Sequence, residues 1–391
     1  MTPLHDLARR FRDLAADTEA VGARLLDGLG AHLAGAATSE GRAVAASVGR
    51  WDPGLLGSVA QRVATVRLTE LDDIHMPTCT TPGAVVIPTA VALAAALEVG
   101  GSRLADAITV GYEAMARLGA AIDGARVVYR GVWPTYFCAP FTAAAVTATL
   151  LDLDPSRAAN ALGIALTRAT GLTSPVVGVP LARWLTLGDA ARAGCGAACA
   201  ARDGFVAHVE LDRIANGAGV PLDASVLLAD APLAIGQVSV KPFPTAKQSL
   251  AAVEAALRLG PDAGAQRVRV HVPEAYATMI DVAAQSGSRL SRMASARWNV
   301  ALALSSPEDL HDVERLRPVD DPQLAPIAER VDVIADPGLS ALYPAQWPAR
   351  VEASGRSETV LDAPGDPAVG NGLPAVDDKW RGRRETIDDL R

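Results

Sequence analysis

The sequence predicts a mainly helical protein with an α+β second domain, and two observations carry that reading. Up to about Gly236, apolar residues fall at helical spacing in one segment after another. Beyond Gln237 the period shifts to the two-residue alternation of strands, interrupted by an occasional helix. Half of the 391 residues are apolar and only 4% are aromatic, so the core is built from Ala, Leu and Val. Ala has the best helix propensity and loses no side-chain entropy, which suits closely packed helices. A chain of this length has room for two domains and a large core.

Taken in order, helices are expected over residues 84–99, 104–122, 140–151, 155–170 and 189–203. Ser102, Asp154-Pro155 and Gly188-Asp189 supply starts, and Gly100-Gly101, Gly171 and Gly204 supply stops. Gly111, Gly119, Gly163, Gly194 and Gly196 would let helix backbones approach closely, each costing up to ~1 kcal/mol in propensity. After Gln237 comes a short strand that ends in the prolines of Val240-Lys241-Pro242-Phe243-Pro244, then a helix over 248–259. Residues 267–272 alternate like a strand with one wet face, and further strands are expected near 331–335, 349–353 and 357–362, around a helix at 295–304. Residues 362–373 are rich in Gly, Pro and Asp and read as loop. The expected organisation is an all-helical domain over residues 1–236, an α+β domain over 237–375, and a short tail, 376–391, returning to the helical domain.

Composition excludes several function classes. The balance of 36 Lys and Arg against 44 Asp and Glu gives a formal charge of −8, which argues against nucleic acid or an anionic membrane as partner. Residues 1–14 carry Asp6, Arg9, Arg10, Arg12 and Asp13 without an apolar core, so no signal peptide is expected. The most apolar run, residues 83–97, contains Pro88 and falls short of the roughly 20 residues that span a bilayer. A cytoplasmic protein acting on a small molecule is the expectation. Cys79, Cys138, Cys195 and Cys199 are too few and scattered for a disulfide scaffold, and the Cys195/Cys199 pair reads as a packing seam rather than half of a metal site.

The stretch from Leu71 to Ala90 sets Asp72, Asp73 and His75 directly before a Pro-Gly turn and an apolar helix, an arrangement that suggests the wall of a site. Together, Leu71-Asp72-Asp73-Ile74-His75, the run Thr81-Pro82-Gly83-Ala84-Val85-Val86-Ile87-Pro88, Gly111-Tyr112-Glu113, Asn160-Ala161-Leu162-Gly163 and Val240-Lys241-Pro242-Phe243-Pro244 resemble the MmgE/PrpD family. That family includes 2-methylcitrate dehydratase, cis-aconitate decarboxylase and iminodisuccinate epimerase. The resemblance implies that the helical domain carries most of the site and that the α+β domain closes over it as a lid. It also implies a homodimer and no metal or organic cofactor.

The same resemblance implies a set of site positions, two of them altered. The family histidine before Pro-Gly falls at Thr81, and the second family histidine falls at Trp133, in Arg130-Gly131-Val132-Trp133-Pro134-Thr135. A family lysine falls at Arg183, the lid lysine is kept as Lys241, an acidic position is Glu70, and a lid aromatic falls at Trp298. None of the histidines at 5, 32, 75, 208, 271 and 311 matches a family site histidine. Imidazole, with a pKa near ~6.5, is the usual acid or base at neutral pH, a task that Thr and Trp cannot perform. Proton transfer would then fall to Lys241 with Glu70, Asp73 or His75 as counterpart. Arg183 would hold a carboxylate, with Arg130, Trp133, Thr81, Tyr129 and Trp298 lining the pocket. Several have a plainer reading: Asp72 and Asp73 as partners of a helix N-terminus or of nearby arginines, His75 as structural, Lys241 as a solvated cation, the tryptophans as core.

Three functional readings follow. The first is a cofactor-independent lyase or isomerase on a carboxylate-bearing molecule, specialised to a pathway other than 2-methylcitrate or cis-aconitate turnover. The others are a non-catalytic relative that binds a ligand or partner, and a Trp-lined cavity that works by proximity alone.

Overall fold

The computed structural model describes residues 2–173, 181–283 and 288–381. These form two compact units. The first takes in Met1–Leu68, Asp72–Pro175 and Ala182–Val238, and the second Thr69–Leu71, Val176–Leu181 and Ser239–Arg391. The main boundary at Val238 lies two residues beyond the expected one, and the short excursion Thr69–Leu71 has no counterpart in the sequence reading.

The first unit is helical. Its principal helices are Pro3–Asp13, Thr18–Ala36, Ser39–Trp51, Leu55–Arg67, Pro82–Leu97, Gly101–Ala121, Pro134–Leu150, Pro155–Leu166 and Ala182–Arg202. Their starts follow capping chemistry: Asp17, Thr38 and Asp154 accept backbone N–H groups of the first turn. Pro3, Pro82, Pro134 and Pro155 each open a helix, where a missing N–H costs nothing. Pro134–Leu150 is the central helix, buried along nearly its whole length, with Gly101–Ala121, Ala182–Arg202, Pro82–Leu97 and Pro155–Leu166 packed around it.

Two helices begin more than a turn earlier than the sequence suggested. Pro140, expected at a helix start, lies inside Pro134–Leu150, and the helix expected from Asp189 starts at Ala182. An interior proline costs ~3 kcal/mol or more. Burying Phe137, Phe141, Val146 and Leu150 at roughly 2 kcal/mol each outweighs that cost. The partner helix is fitted to the spot, because a Cβ at Gly194 would sit 2.1 Å from the Pro140 carbonyl oxygen. The earlier start also puts Arg183 in the first turn of a helix rather than in a loop.

The second unit carries a four-stranded mixed sheet in the order Val331–Ala335, Val268–Val272, Ala349–Ala353, Arg356–Val360. The first pair is parallel, with Val268 opposite Val331, and the others are antiparallel, with Val270 opposite Val351 and Ala353 opposite Arg356. Along Val268–Val272, valines 268, 270 and 272 are buried while Arg269 is exposed, the one-wet-face pattern read from the sequence. Ser354 and Gly355 both take positive φ at the hairpin between the last two strands, as a tight two-residue turn demands. Helices Lys247–Leu259 and Ala296–Ser305 pack against each other, the former also against the hairpin strands. Helix Leu373–Arg381 clusters with this unit; the rest of the expected tail, 382–391, lies outside the described residues. Lys379 of that helix donates to the Leu71 carbonyl at 2.6 Å, and Leu71 belongs to the same unit. Among the described residues no helix is long and apolar enough to cross a membrane.

Candidate active site

In the helical unit, the positions where the resembled family has histidines stand at the mouths of two helices. Thr81 is the residue before Pro82–Leu97, and Trp133 the residue before Pro134–Leu150. Thr135 ties them together, its Oγ1 accepting from the Thr81 N–H at 3.0 Å and lying 3.2 Å from Thr81 Oγ1. A helix N-terminus offers unsatisfied N–H groups and partial positive charge, so this corner favours an anion.

Arg183 reaches the same corner. Its guanidinium carbon lies 4.7 Å from the Trp133 ring centroid, 5.3 Å from Trp184 and 6.0 Å from Tyr136. The residue is only 2% exposed, its Nε has no hydrogen-bond partner, and no carboxylate pairs with it among the described residues. Burying an unpaired charge costs several kcal/mol. Cation–π contacts at roughly 1 kcal/mol each offset only part of that. An arriving carboxylate therefore gains a buried, oriented guanidinium that no carboxylate among the described residues answers. Arg67, which also flanks Trp184 at 5.9 Å, is by contrast paired with Asp72 at 3.1 Å.

Asp73 sits at the mouth of the Pro82–Leu97 helix. Its Oδ1 accepts from the Gly83 N–H at 2.7 Å, and its Oδ2 accepts from the Tyr112 hydroxyl at 2.6 Å. Burial raises its pKa to about 6; Arg24 and the two hydrogen bonds pull it down, and Asp27 pushes it up. Ten residues upstream, Asp73 thus does the capping that Thr81's own side chain does not. His75 is partly buried, with Nδ1 2.8 Å from Thr78 Oγ1, which in turn lies 2.8 Å from Thr80 Oγ1. Burial lowers its pKa to about 4, so the ring is neutral at physiological pH.

In the second unit, Lys241 Nζ donates to Glu70 Oε2 at 3.3 Å, both residues being buried. Glu70 holds φ +53, a left-handed conformation uncommon for a non-glycine residue, and such strain concentrates at functional positions. Trp298 in the same unit is buried, and it lines a cavity of about 520 Å³ with Asp281, Ser295 and Arg297, without Lys241. In the helical unit Arg130 is exposed and Tyr129 half-buried, and the described contacts bring neither to Arg183. Cys195 is buried with its thiol pushed up to about 12, consistent with packing.

The comparison with known proteins bears on both units. Residues 62–219 match the MmgE/PrpD N-terminal domain, and residues 243–386 match the MmgE/PrpD C-terminal domain. The chain belongs to the MmgE/PrpD family. Similar proteins include a cis-aconitate decarboxylase-like protein of Aspergillus oryzae, 35% identical over 36% of this chain and 30% of that protein. A cis-aconitate decarboxylase of Aspergillus terreus is 35% identical over 39% of this chain and 32% of its own length. The chain spans about a third of the length of the curated relatives it matches.

One signal in this MmgE/PrpD chain went unread. It has three lysines, at 241, 247 and 379, beside 33 arginines. All three are buried and all belong to the second unit. Lysine is normally the most solvated of side chains. Each instead meets a buried acceptor: Glu70 for Lys241, Asp366 for Lys247 and the Leu71 carbonyl for Lys379. Lys247 pairs with Asp366 at 2.5 Å, and neither was singled out from the sequence.

Proposed function

We propose that this MmgE/PrpD protein is a cofactor-independent lyase or isomerase acting on a carboxylate-bearing small molecule. Arg183 anchors the carboxylate, aided by the helix mouths at Thr81 and Trp133. Lys241 and Glu70, both in the second unit, are assigned the proton transfers, in place of the histidines that the resemblance would put at Thr81 and Trp133. Support comes above all from Arg183, a buried guanidinium with no anionic partner among the described residues, stacked on two indoles. Trp133 makes that wall broad and apolar, which favours a substrate with an unsaturated or hydrophobic body over a compact triacid. The names of the similar fungal proteins point to decarboxylation as a neighbouring chemistry.

Calorimetry with a panel of di- and tricarboxylates, run beside assays for CO2 release and double-bond formation, tests this reading. At least one carboxylate is expected to bind, and Arg183→Met is expected to weaken it about 10–100-fold, the worth of a charged hydrogen-bonded contact. Unchanged affinity in Arg183→Met would remove the anchor. Turnover of cis-aconitate or 2-methylcitrate at ordinary enzymatic rates would overturn the specialised substrate. Binding without any product, unaffected by Lys241→Met, would leave a ligand-binding relative instead.

A further inference from the structure

The segment that delivers Lys241 follows the two-residue strand Val238–Ser239 and is fastened by a loop remote in sequence. Val240 N–H donates to the Gly365 carbonyl at 2.9 Å, and Ser239 Oγ donates to Asp366 Oδ1 at 2.5 Å. The other carboxylate oxygen of Asp366 accepts from the Ala363 N–H at 2.8 Å, which fixes the carboxylate within its own loop. Gly365 is dictated by the approach: its φ is +86, and a Cβ there would meet the Val240 oxygen at 2.1 Å. Asp366 also receives Lys247, the first residue of helix Lys247–Leu259. A cation is disfavoured at a helix N-terminus and still more so when buried, so Lys247 needs this partner. Burial lowers the Lys247 pKa; Asp366 and Asp362 raise it, and the neighbouring Lys241 ammonium lowers it. Two buried ammonium groups therefore feel each other, each with its own carboxylate, Glu70 for Lys241 and Asp366 for Lys247.

We infer that Asp366 is a positioning residue for Lys241: with Gly365 it clamps Ser239 and Val240, directly before the ammonium-bearing residue, and through Lys247 it sets the charge beside it. This rests on the reading of Lys241 as the proton-transfer group, and it goes further by assigning that group's orientation to residues with no part in the proton transfer itself. A buried ion pair serving stability alone would hold the fold without tuning Lys241.

The three lysines make the test direct. Protein labelled with 13Cε-lysine gives three side-chain signals, assigned by Lys241→Met, Lys247→Met and Lys379→Met, and the Lys241 signal is followed against pH. Asp366→Asn removes a negative charge, so the Lys241 signal is expected to move in the direction of easier proton loss. Lys247→Met removes a positive charge, so the signal is expected to move the opposite way. Loosening of the fold would move both variants the same way; opposite movements require electrostatic coupling through the clamp. Should the ion-pair variants fail to fold, Ser239→Ala removes one hydrogen bond and no charge. It is expected to move the Lys241 signal toward that of a free lysine while the Lys379 signal stays in place. A Lys241 signal unmoved in every folded variant, or moved alike in Asp366→Asn and Lys247→Met, overturns the inference. Because the readout is Lys241 itself, such a result leaves the proton-transfer reading standing. A shifted signal with unchanged turnover would instead keep the clamp and remove Lys241 from the chemistry.

Discussion

Glu70 and Lys241 are 171 positions apart in the chain, and their buried contact depends on one residue held in a left-handed backbone. Replacing one member of a buried pair leaves the other charge poorly compensated, typically at roughly 3–5 kcal/mol. Glu70→Gln is accordingly expected to lower the urea midpoint by an amount equivalent to about 3 kcal/mol; a loss below about 0.5 kcal/mol would mean that the contact does not persist in solution. Both residues were legible in the sequence, Lys241 through its Pro-flanked strand and Glu70 through its place before Asp72-Asp73. Arg183 was legible as a cation, but not its stacking on Trp133, since that contact joins side chains fifty positions apart. Asp366 was hidden because a Gly-, Pro- and Asp-rich segment reads as loop, and loop signals say nothing of what a buried carboxylate faces.

At the scale of elements, the segment before helix Pro82–Leu97 holds two titrating groups whose pH effects oppose each other. Asp73 has its folded pKa raised from 3.8 to about 6, so the native state binds its proton more tightly than the unfolded chain does. Its contribution to stability therefore falls as pH rises from about 4 to about 6. His75 has its folded pKa lowered from 6.5 to about 4. The stability it contributes is complete above 6.5 and is lost as pH falls toward 4. Thermal melts across pH 4–7 are expected to show steeper acid destabilisation in Asp73→Asn and a flatter profile in His75→Gln. Parallel profiles for both variants would remove these two groups from the acid response. The helices themselves were largely legible from apolar period, whereas two of their starts were not. A proline inside the central helix and the Gly188-Asp189 pair look like boundaries until burial outweighs local preference.

For the molecule as a whole, the mainly helical class, the α+β second part and the strand positions were all readable, because period and turn chemistry agree there. The Thr69–Leu71 excursion and the allegiance of the last described helix were not, since both are set by long-range contacts such as Lys379 to the Leu71 carbonyl. Burial of every lysine predicts the behaviour of the native protein toward amine-reactive succinimidyl esters. Mass spectrometry is expected to find Lys241, Lys247 and Lys379 unlabelled in the folded protein, with three further labels after denaturation. Rapid native labelling at any of them would contradict their burial. The same distribution leaves the exterior with guanidinium as its only strong base. Guanidinium keeps its proton beyond pH ~12, whereas an ordinary surface sheds ammonium charge from pH ~10 upward. The outer cations of this protein consequently do not fade in alkali. Electrophoretic mobility between neutrality and strong base should drift through no more than three ammonium side chains, the amino terminus, and the few tyrosines and thiols within reach of solvent.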